Sequence, residues 1–326
     1  MKVSKEKFEH LKNLSNEDGV IAALAIDQRG SMEKMMAKER EDYNNVNDIS
    51  RFKGFVSKEL TQYASSILTD TIYGQKAISD RDKNAGLLLS YEITGYDNTE
   101  VGRLPRLIKD LSGLKIKELG SDAIKILLYY DVDEPDEIND LKKTFVERIG
   151  YEAEGLGLPF FLEIVSYDAN VEDKKEYAKL RPRKVIEAVK VFSDERYKVD
   201  VLKLETPVDM HFVEGFSDGE FVYTKEEAKA FFKEQSESTN LPFIFLSGGV
   251  TNDLFKKTLV FAKESGSRFN GVLCGRATWK DCVKPFTKSD EDALNWLRET
   301  GKENITSLNE VLKQTAVSVF ERIEEE

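Results

Sequence analysis

Lys203 stands in the middle of VDVLKLETP (199–207), an apolar run whose other residues read as a buried strand. An ammonium taken out of water without a partner is so unfavourable that it tends to shed its proton. The neutral amine is then a nucleophile that condenses with carbonyl compounds. A second run, FLEIV, carries a carboxylate in the same setting, Glu163. Side chains alternate along a strand, so Leu202 and Leu204 share one face while Val201, Lys203 and Glu205 share the other. The same alternation separates Leu162 and Ile164 from Glu163. With the aliphatic residues packed outward, an amine and a carboxylate from successive strands face each other, a nucleophile beside a proton carrier. Polar residues are also read at or near the C-terminal ends of other apolar runs: Asp27, Asp70, Glu92, Lys125, Ser247 and Arg276.

Eight short apolar runs must position these groups: 19–27, 65–70, 86–92, 123–130, 159–168, 199–205, 242–249 and 269–276. Their nearly continuous apolar character fits strands covered on both faces of a parallel sheet. Segments with three- and four-residue apolar spacing lie between them, among them 48–64, 107–120, 137–157, 181–197, 224–239 and 251–266. Thr224 with Glu227 spells a capping box, Thr251 opens another helix, and Gly120, Gly157 and Gly266 fall where helices should stop. The pattern predicts a (β/α)8 TIM barrel with an extra N-terminal helix and a C-terminal helical segment from about Asp290, in one domain spanning 1–326. The terminal IEEE reads as a frayed end. An open doubly wound sheet is the rival, weakened because AIDQRGS stands where a G-x-G-x-x-G would follow the first strand.

In a barrel, the C-terminal ends of the strands carry the active site. LSGGVT (246–251) and LCGRAT (273–278) follow the seventh and eighth runs, where barrels frequently bind phosphate. Their glycines let a ligand approach backbone N–H groups, helices are expected to start just after, and Arg276 adds a charge-assisted contact. A lysine, a carboxylate and a phosphate cradle together point to Schiff-base chemistry on a phosphorylated carbonyl compound, with the iminium accepting the electrons of a breaking C–C bond. The competing reading of Lys203 and Glu163 is a structural ion pair. Asp70 and Glu92 read more simply as caps of the following helices or acceptors for loop amides, and Glu205 as a loop residue above the layer.

Composition sets the frame. The 326 residues are 40% hydrophobic, enough for a sizeable core, and carry a net charge of −12 spread along the chain, which argues against a nucleic-acid surface. No apolar window approaches a membrane span and the charged start, MKVSKEKFEHLKNLS, lacks a signal-peptide core, so a cytoplasmic protein is the default. Two cysteines, Cys274 and Cys282, match no redox or metal spacing, and two histidines, His10 and His211, are too few for a histidine-rich zinc site, so no metal is expected.

The strings ALAIDQRG, LTQYASSIL, GLLLSYEITGYD, KILLYYDVD, ERIG, PFFLEIVSYD, VDVLKLETPV, VEGF, VYTKEEA and FNGVLCGRATW resemble, over nearly the whole chain, the class I tagatose-1,6-bisphosphate aldolases of the lactose and galactose pathway. That resemblance implies a Schiff base on Lys203, acid/base work by Glu163, a sugar site lined by Asp27, Gln28 and Lys125, and phosphate loops at Ser247, Gly248, Gly249, Gly275 and Arg276, with no cofactor. Gly248 stands where relatives often carry alanine, and 167–184 is slightly shorter. The implied substrate is a ketose bisphosphate, D-tagatose 1,6-bisphosphate, with loose selectivity at C4 that would admit the fructose isomer. A homodimer follows from the resemblance alone. A pyridoxal-phosphate enzyme, also built on a barrel lysine and a phosphate loop, and a non-catalytic sugar-phosphate sensor acting on a regulatory partner stay open as alternatives.

Overall fold

The computed structural model describes residues 1–43, 45–93, 99–217 and 219–326; the part of GLLLSYEITGYD from 94 to 97 lies outside them. The strands are β1 (Lys2–Val3), β2 (Ile21–Ala25), β3 (Ser66–Thr69), β4 (Gly86–Ser90), β5 (Ala123–Tyr130), β6 (Phe160–Ser166), β7 (Val201–Leu204), β8 (Phe243–Leu246), β9 (Gly271–Cys274) and β10 (Glu324–Glu325). β2 to β9 form a closed, all-parallel barrel in sequence order, with β2 completing the ring against β9. All eight predicted runs are barrel strands.

The helices are α1 (Lys5–Leu14), α2 (Gly30–Glu39), α3 (Val46–Leu60), α4 (Gln75–Asp80), α5 (Gly113–Glu118), α6 (Asp136–Leu156), α7 (Lys174–Phe192), α8 (Lys225–Glu237), α9 (Asn252–Glu264), α10 (Arg276–Trp279), α11 (Val283–Phe286), α12 (Asp290–Trp296) and α13 (Lys302–Thr315). The extra N-terminal helix is α1; the C-terminal segment is α12 and α13, joined by a π-helical stretch, Leu297–Gly301. Thr224 and Glu227 make the reciprocal capping box of α8, Thr251 caps α9, and Gly157 ends α6 at φ 68°.

Three local expectations need correction. α7 begins at Lys174, seven residues before the predicted start, because Asp173 caps the amides of Lys175 and Glu176 and Pro182 is carried inside the helix rather than opening it. Only 113–118 of the segment 107–120 is helical, since Ser112 caps it at the amide of Lys115. The IEEE end is not frayed: β10 pairs in parallel with β1, at Lys2 with Glu324 and Val3 with Glu325. Charged side chains hid a strand whose backbone does the pairing.

Alternation divides the apolar residues into two layers. Ile124, Ile126, Leu162, Ile164, Leu202 and Leu204 point outward and pack with the helices, while Ala23, Leu68, Leu88, Phe161, Val201, Ile244 and Leu273 fill the barrel interior. That inner cluster continues into Val3, Leu11, Leu14, Val319 and Ile323, so α1 and the chain's end plug one mouth of the barrel. The apolar plug leaves the opposite mouth for polar side chains. Closure depends on Gly271, whose φ of 138° suits only glycine and where a Cβ would lie 2.0 Å from the carbonyl oxygen of Ile21 on β2. Gly271→Ala should therefore destabilise the protein by about 3 kcal/mol or more, from backbone strain and a clash at the closing seam. Chemical denaturation reads this directly, and an unchanged midpoint would contradict it.

Candidate active site

Lys203 lies in the middle of β7 and Glu163 in the middle of β6, and the two are register partners. Lys203 Nζ is 2.9 Å from Oε1 of Glu163. Lys125, on β5, pairs in register with Phe161, one inward layer below Glu163. Its Nζ lies 2.7 Å from Glu163 Oε2, 2.8 Å from Glu92 Oε1 and 3.0 Å from Asp27 Oδ2. Glu163 thus divides its two oxygens between two amines. Lys203 and Glu163 are 4% and 6% exposed and Lys125 is wholly buried.

In this dry setting ionisation follows the neighbours. Burial disfavours the charged form of Lys125, but Asp27, Glu163 and Glu92 outweigh it and hold the ammonium well above the ordinary lysine range. Burial likewise opposes the charge on Glu163 and Asp27, yet Lys125 and Lys203 pull both carboxyls below their usual values. Glu92 goes the other way: burial dominates and raises it above the usual carboxylate range. The cluster separates into a fixed cation, two ionised carboxylates and one acid that holds its proton more readily.

All ten expected site residues meet around a cavity of about 480 Å³ at the open mouth, except that Lys125 lies beneath its floor, behind Asp27, Glu92 and Glu163. That size suits a small, highly polar ligand. Gln28 donates to Asp27 Oδ1 at 3.2 Å, and its Oε1 is buried without a partner. Ser247, Gly248 and Gly249 follow β8, and Gly275 and Arg276 follow β9. Gly248 (φ 59°) is open to approach, as anticipated. Gly249 (φ 82°) serves differently: the Arg276 guanidinium carbon lies 3.1 Å from where a Cβ would stand, so the space goes to that side chain and not to ligand. The cradle also has only one long helix behind it, α9, because α10 is a single turn of four residues.

Some residues differ from their expected parts. Glu92 is no helix cap but a buried partner of Lys125 on the cavity wall. Asp70 does bond loop amides, those of Ile72 and Tyr73 at 2.8 Å each, and pairs with buried Lys53. Glu205 lies above the amine layer, accepting from the amide and hydroxyl of Ser166 at 2.7 and 2.8 Å. Sequence reasoning missed Arg29 and Tyr129, which also line the cavity. Burial alone is a poor guide to reactivity here: Lys7, Lys53, Lys142 and Lys184 are buried too. Lys7 is held by Asp200 and Lys184 by Asp131 and Asp168. Lys142, drawn down to about 8 by burial, donates to the Tyr167 hydroxyl at 2.9 Å and lines none of the cavities described. Lys203 alone among the buried lysines opens onto the cavity.

Among the described residues, no group of three or more His, Cys, Asp and Glu is arranged to hold a metal ion, and no helix is long and apolar enough to cross a membrane. Cys274 and Cys282 are both buried and unpaired as a disulfide.

Solved structures share this architecture, two of them aldolases by name. The fructose-bisphosphate aldolase of Plasmodium falciparum, in a ternary complex with TRAP and a small-molecule inhibitor, superposes with a TM-score of 0.68 at 13% identity, over 99% of this chain and 98% of its own. An archaeal fructose 1,6-bisphosphate aldolase does so with a TM-score of 0.57 at 16% identity, over 92% and 99%. At that distance the likeness shows the barrel fold and no more. Sequence goes further: the model of the DeoC/LacD family aldolases matches residues 21–281, and the chain belongs to that family. Tagatose 1,6-diphosphate aldolase 2 of Streptococcus agalactiae serotype III is 53% identical over 326 residues, 99% of this chain and 100% of that protein. Tagatose 1,6-diphosphate aldolase 2 of Enterococcus faecalis is 57% identical over 317 residues, 96% of each.

The charge arrangement predicts how stability depends on pH. Asp27 and Glu163, depressed in the folded state, contribute stability that is present above the unfolded carboxylate value and is lost as pH falls through their lower folded values. Lys125, raised, contributes stability that is present below its unfolded value and is lost only as pH rises through the higher folded one. Lys125→Met strands buried carboxylates and should cost about 3–5 kcal/mol at pH 7. The deficit should shrink toward pH 4, where the stranded acids take up protons. Urea unfolding of both proteins across that range checks it; a deficit independent of pH would contradict the electrostatic account.

Proposed function

We propose that this aldolase cleaves D-tagatose 1,6-bisphosphate reversibly into dihydroxyacetone phosphate and D-glyceraldehyde 3-phosphate through a Schiff base on Lys203. The observation that carries the reading is the contact between Lys203 and Glu163, 2.9 Å apart, on a cavity that the glycine loops after β8 and β9 also line. The names of the relatives supply the substrate.

In this reading each group has a part. Lys203 Nζ gives a proton to the Glu163 carboxylate beside it and adds to the C2 carbonyl, giving a carbinolamine. Glu163 hands a proton to the departing hydroxyl, and water leaves as the iminium forms. The Glu163 carboxylate, freed of its proton, takes the C4 hydroxyl proton as the C3–C4 bond breaks; the bond's electrons pass to the iminium as an enamine, and the aldehyde departs. Glu163 then protonates C3, and hydrolysis of the iminium frees dihydroxyacetone phosphate and restores the amine. Lys125, held cationic beneath Glu163, keeps that carboxylate ionised between proton transfers. Asp27, bonded by Gln28 and facing the cavity, assists at the substrate hydroxyls. Ser247, Gly248, Gly249, Gly275 and Arg276 lie next to the β7 amine in the ring order and receive the C1 phosphate, one carbon from the imine.

Borohydride added during turnover should fix a reduced adduct on Lys203, and Lys203→Met should lose both adduct and cleavage. An adduct on any other lysine would end this assignment. Glu163→Gln should still bind substrate while its kcat falls about a hundred- to ten-thousandfold, the usual worth of a positioned general acid–base. Tagatose and fructose 1,6-bisphosphates differ only in configuration at C4, and comparable kcat/KM for both is the outcome expected of a pocket that does not pair that hydroxyl strictly. Selectivity of a hundredfold or more for one ketose would instead require a dedicated partner for it.

A further inference from the structure

Tyr129 borders the active-site cavity, and a cation from the loop after β4 stands over its ring. Tyr129 follows Lys125 and Leu127 on the inward face of β5 and is the register partner of Val165. Its ring meets that of Tyr167 edge to face, with 6.4 Å between centroids and 77° between planes. The guanidinium carbon of Arg103 lies 4.1 Å from the Tyr167 centroid and 5.6 Å from the Tyr129 centroid, within cation–π reach of both. Tyr167 is itself fixed from behind: it is buried, accepts a hydrogen bond from Lys142 and donates one to Glu134, each at 2.9 Å.

The backbone that carries Arg103 is strained. A turn closed by the Arg103 amide on the Glu100 carbonyl, at 3.2 Å, gives a central position to Gly102 at φ 81°. Arg103 lies beyond that central pair and yet has φ 44°, a left-handed conformation unfavourable for a residue with a Cβ. The other such non-glycine residue among those described, Lys198, terminates the short helix Glu195–Tyr197, where that conformation closes the helix. No helix end accounts for Arg103. Among the described residues no carboxylate pairs with its side chain either, so the guanidinium is committed to the two tyrosine rings. Strain of this kind persists where the surroundings impose it, and it clusters at sites that use it.

Ring order tells what Tyr129 faces. β5 stands opposite β9, four strands away in either direction, and β7 with its amine lies midway between them. In the aldolase reading above, on which this inference rests, the C1 phosphate sits by β8 and β9 and C2 is bonded to Lys203. The part of the substrate beyond the C3–C4 bond then extends toward the far wall, where Tyr129 stands one layer above Leu127, the register partner of Glu163. An aromatic ring with a polar tip suits the C–H groups and hydroxyls of such a fragment. We propose that Tyr129 is a specificity-determining residue for the aldehyde half of the substrate, the polyhydroxylated fragment that departs when the bond breaks, and that Arg103 is a positioning residue that holds the Tyr129 ring against the cavity.

Exchange of the C3 proton of dihydroxyacetone phosphate with solvent passes through the imine and enamine on Lys203 and needs no aldehyde, so it reads the rest of the site alone. Arg103→Gly places a residue suited to φ 44° at the strained position, and the protein should keep its urea midpoint. Its kcat/KM for cleavage of the ketose bisphosphate should fall about five- to thirtyfold, the worth of a desolvated cation–π contact, while C3 exchange stays at the wild-type rate. In Tyr129→Leu, which has no ring to hold, adding Arg103→Gly should lower cleavage no further; a second loss of the same size overturns the positioning role. A fall shared equally by cleavage and exchange, or cleavage at the wild-type rate, overturns the proposal and leaves the aldolase reading standing. Wild-type protein that neither exchanges the C3 proton nor is fixed by borohydride with dihydroxyacetone phosphate overturns both. If Arg103→Gly does not fold, Arg103→Asn, whose side chain tolerates the same backbone, must separate cleavage from exchange in the same way, and equal effects on the two overturn the proposal.

Discussion

One buried ammonium organises the open mouth of this barrel. Lys125 has no access to water and lies within 3.0 Å of carboxyl groups delivered by β2, β6 and the end of β4. Three carboxyls without that cation could not share so small a dry volume in ionised form, and the cation without them would be equally unfavourable. The group is therefore an all-or-none construction. It fixes the Glu163 carboxyl from below, which leaves the other oxygen turned to Lys203. Lys203 and Glu163 are presented to the cavity by a support that does not itself touch it.

The barrel makes this construction possible by parity and by plugging. Each strand sends alternate side chains inward, so inward positions form layers, and the lower layers are apolar and continuous with α1 and the chain's end. Water is excluded from beneath. Charges concentrate from the layer of Phe161 and Val201 upward, Lys125 level with Phe161 and Glu163 and Lys203 one layer above, on three consecutive strands. A helix bundle could place the same three groups together only through separate local solutions, whereas register does so here in one step.

Above the amine layer, cations flank the mouth on opposite walls, Arg276 over the Gly249 backbone and Arg29 at the Glu92 carbonyl. The floor between them carries the acids. The mouth therefore has basic side chains on its walls and acidic ones on its floor. Local structure follows the same pattern: two consecutive left-handed glycines bring Arg276 onto the backbone, and α2 begins without a cap where Arg29 stands.

Much of this was legible in the residues alone. Continuous apolar runs announced parallel strands buried on both sides, and alternation within VLKL and FLEI determined that Lys203 and Glu163 share the inward face; those are properties of neighbours in the chain. Turn and cap chemistry at Thr224, Thr251 and Gly157 was equally local. What sequence could not decide was which polar groups meet. A buried lysine is no rarity in this molecule: Lys53 on α3 and Lys142 on α6 are as hidden from water as Lys125. Glu92 became a partner of Lys125, and Arg29 a donor with idle N–H groups, only because ring closure brings the ends of β2, β4 and β5 to one point. Pattern along the chain determined which way each side chain points; only the closed barrel, through contacts between residues dozens of positions apart, decided what it finds there.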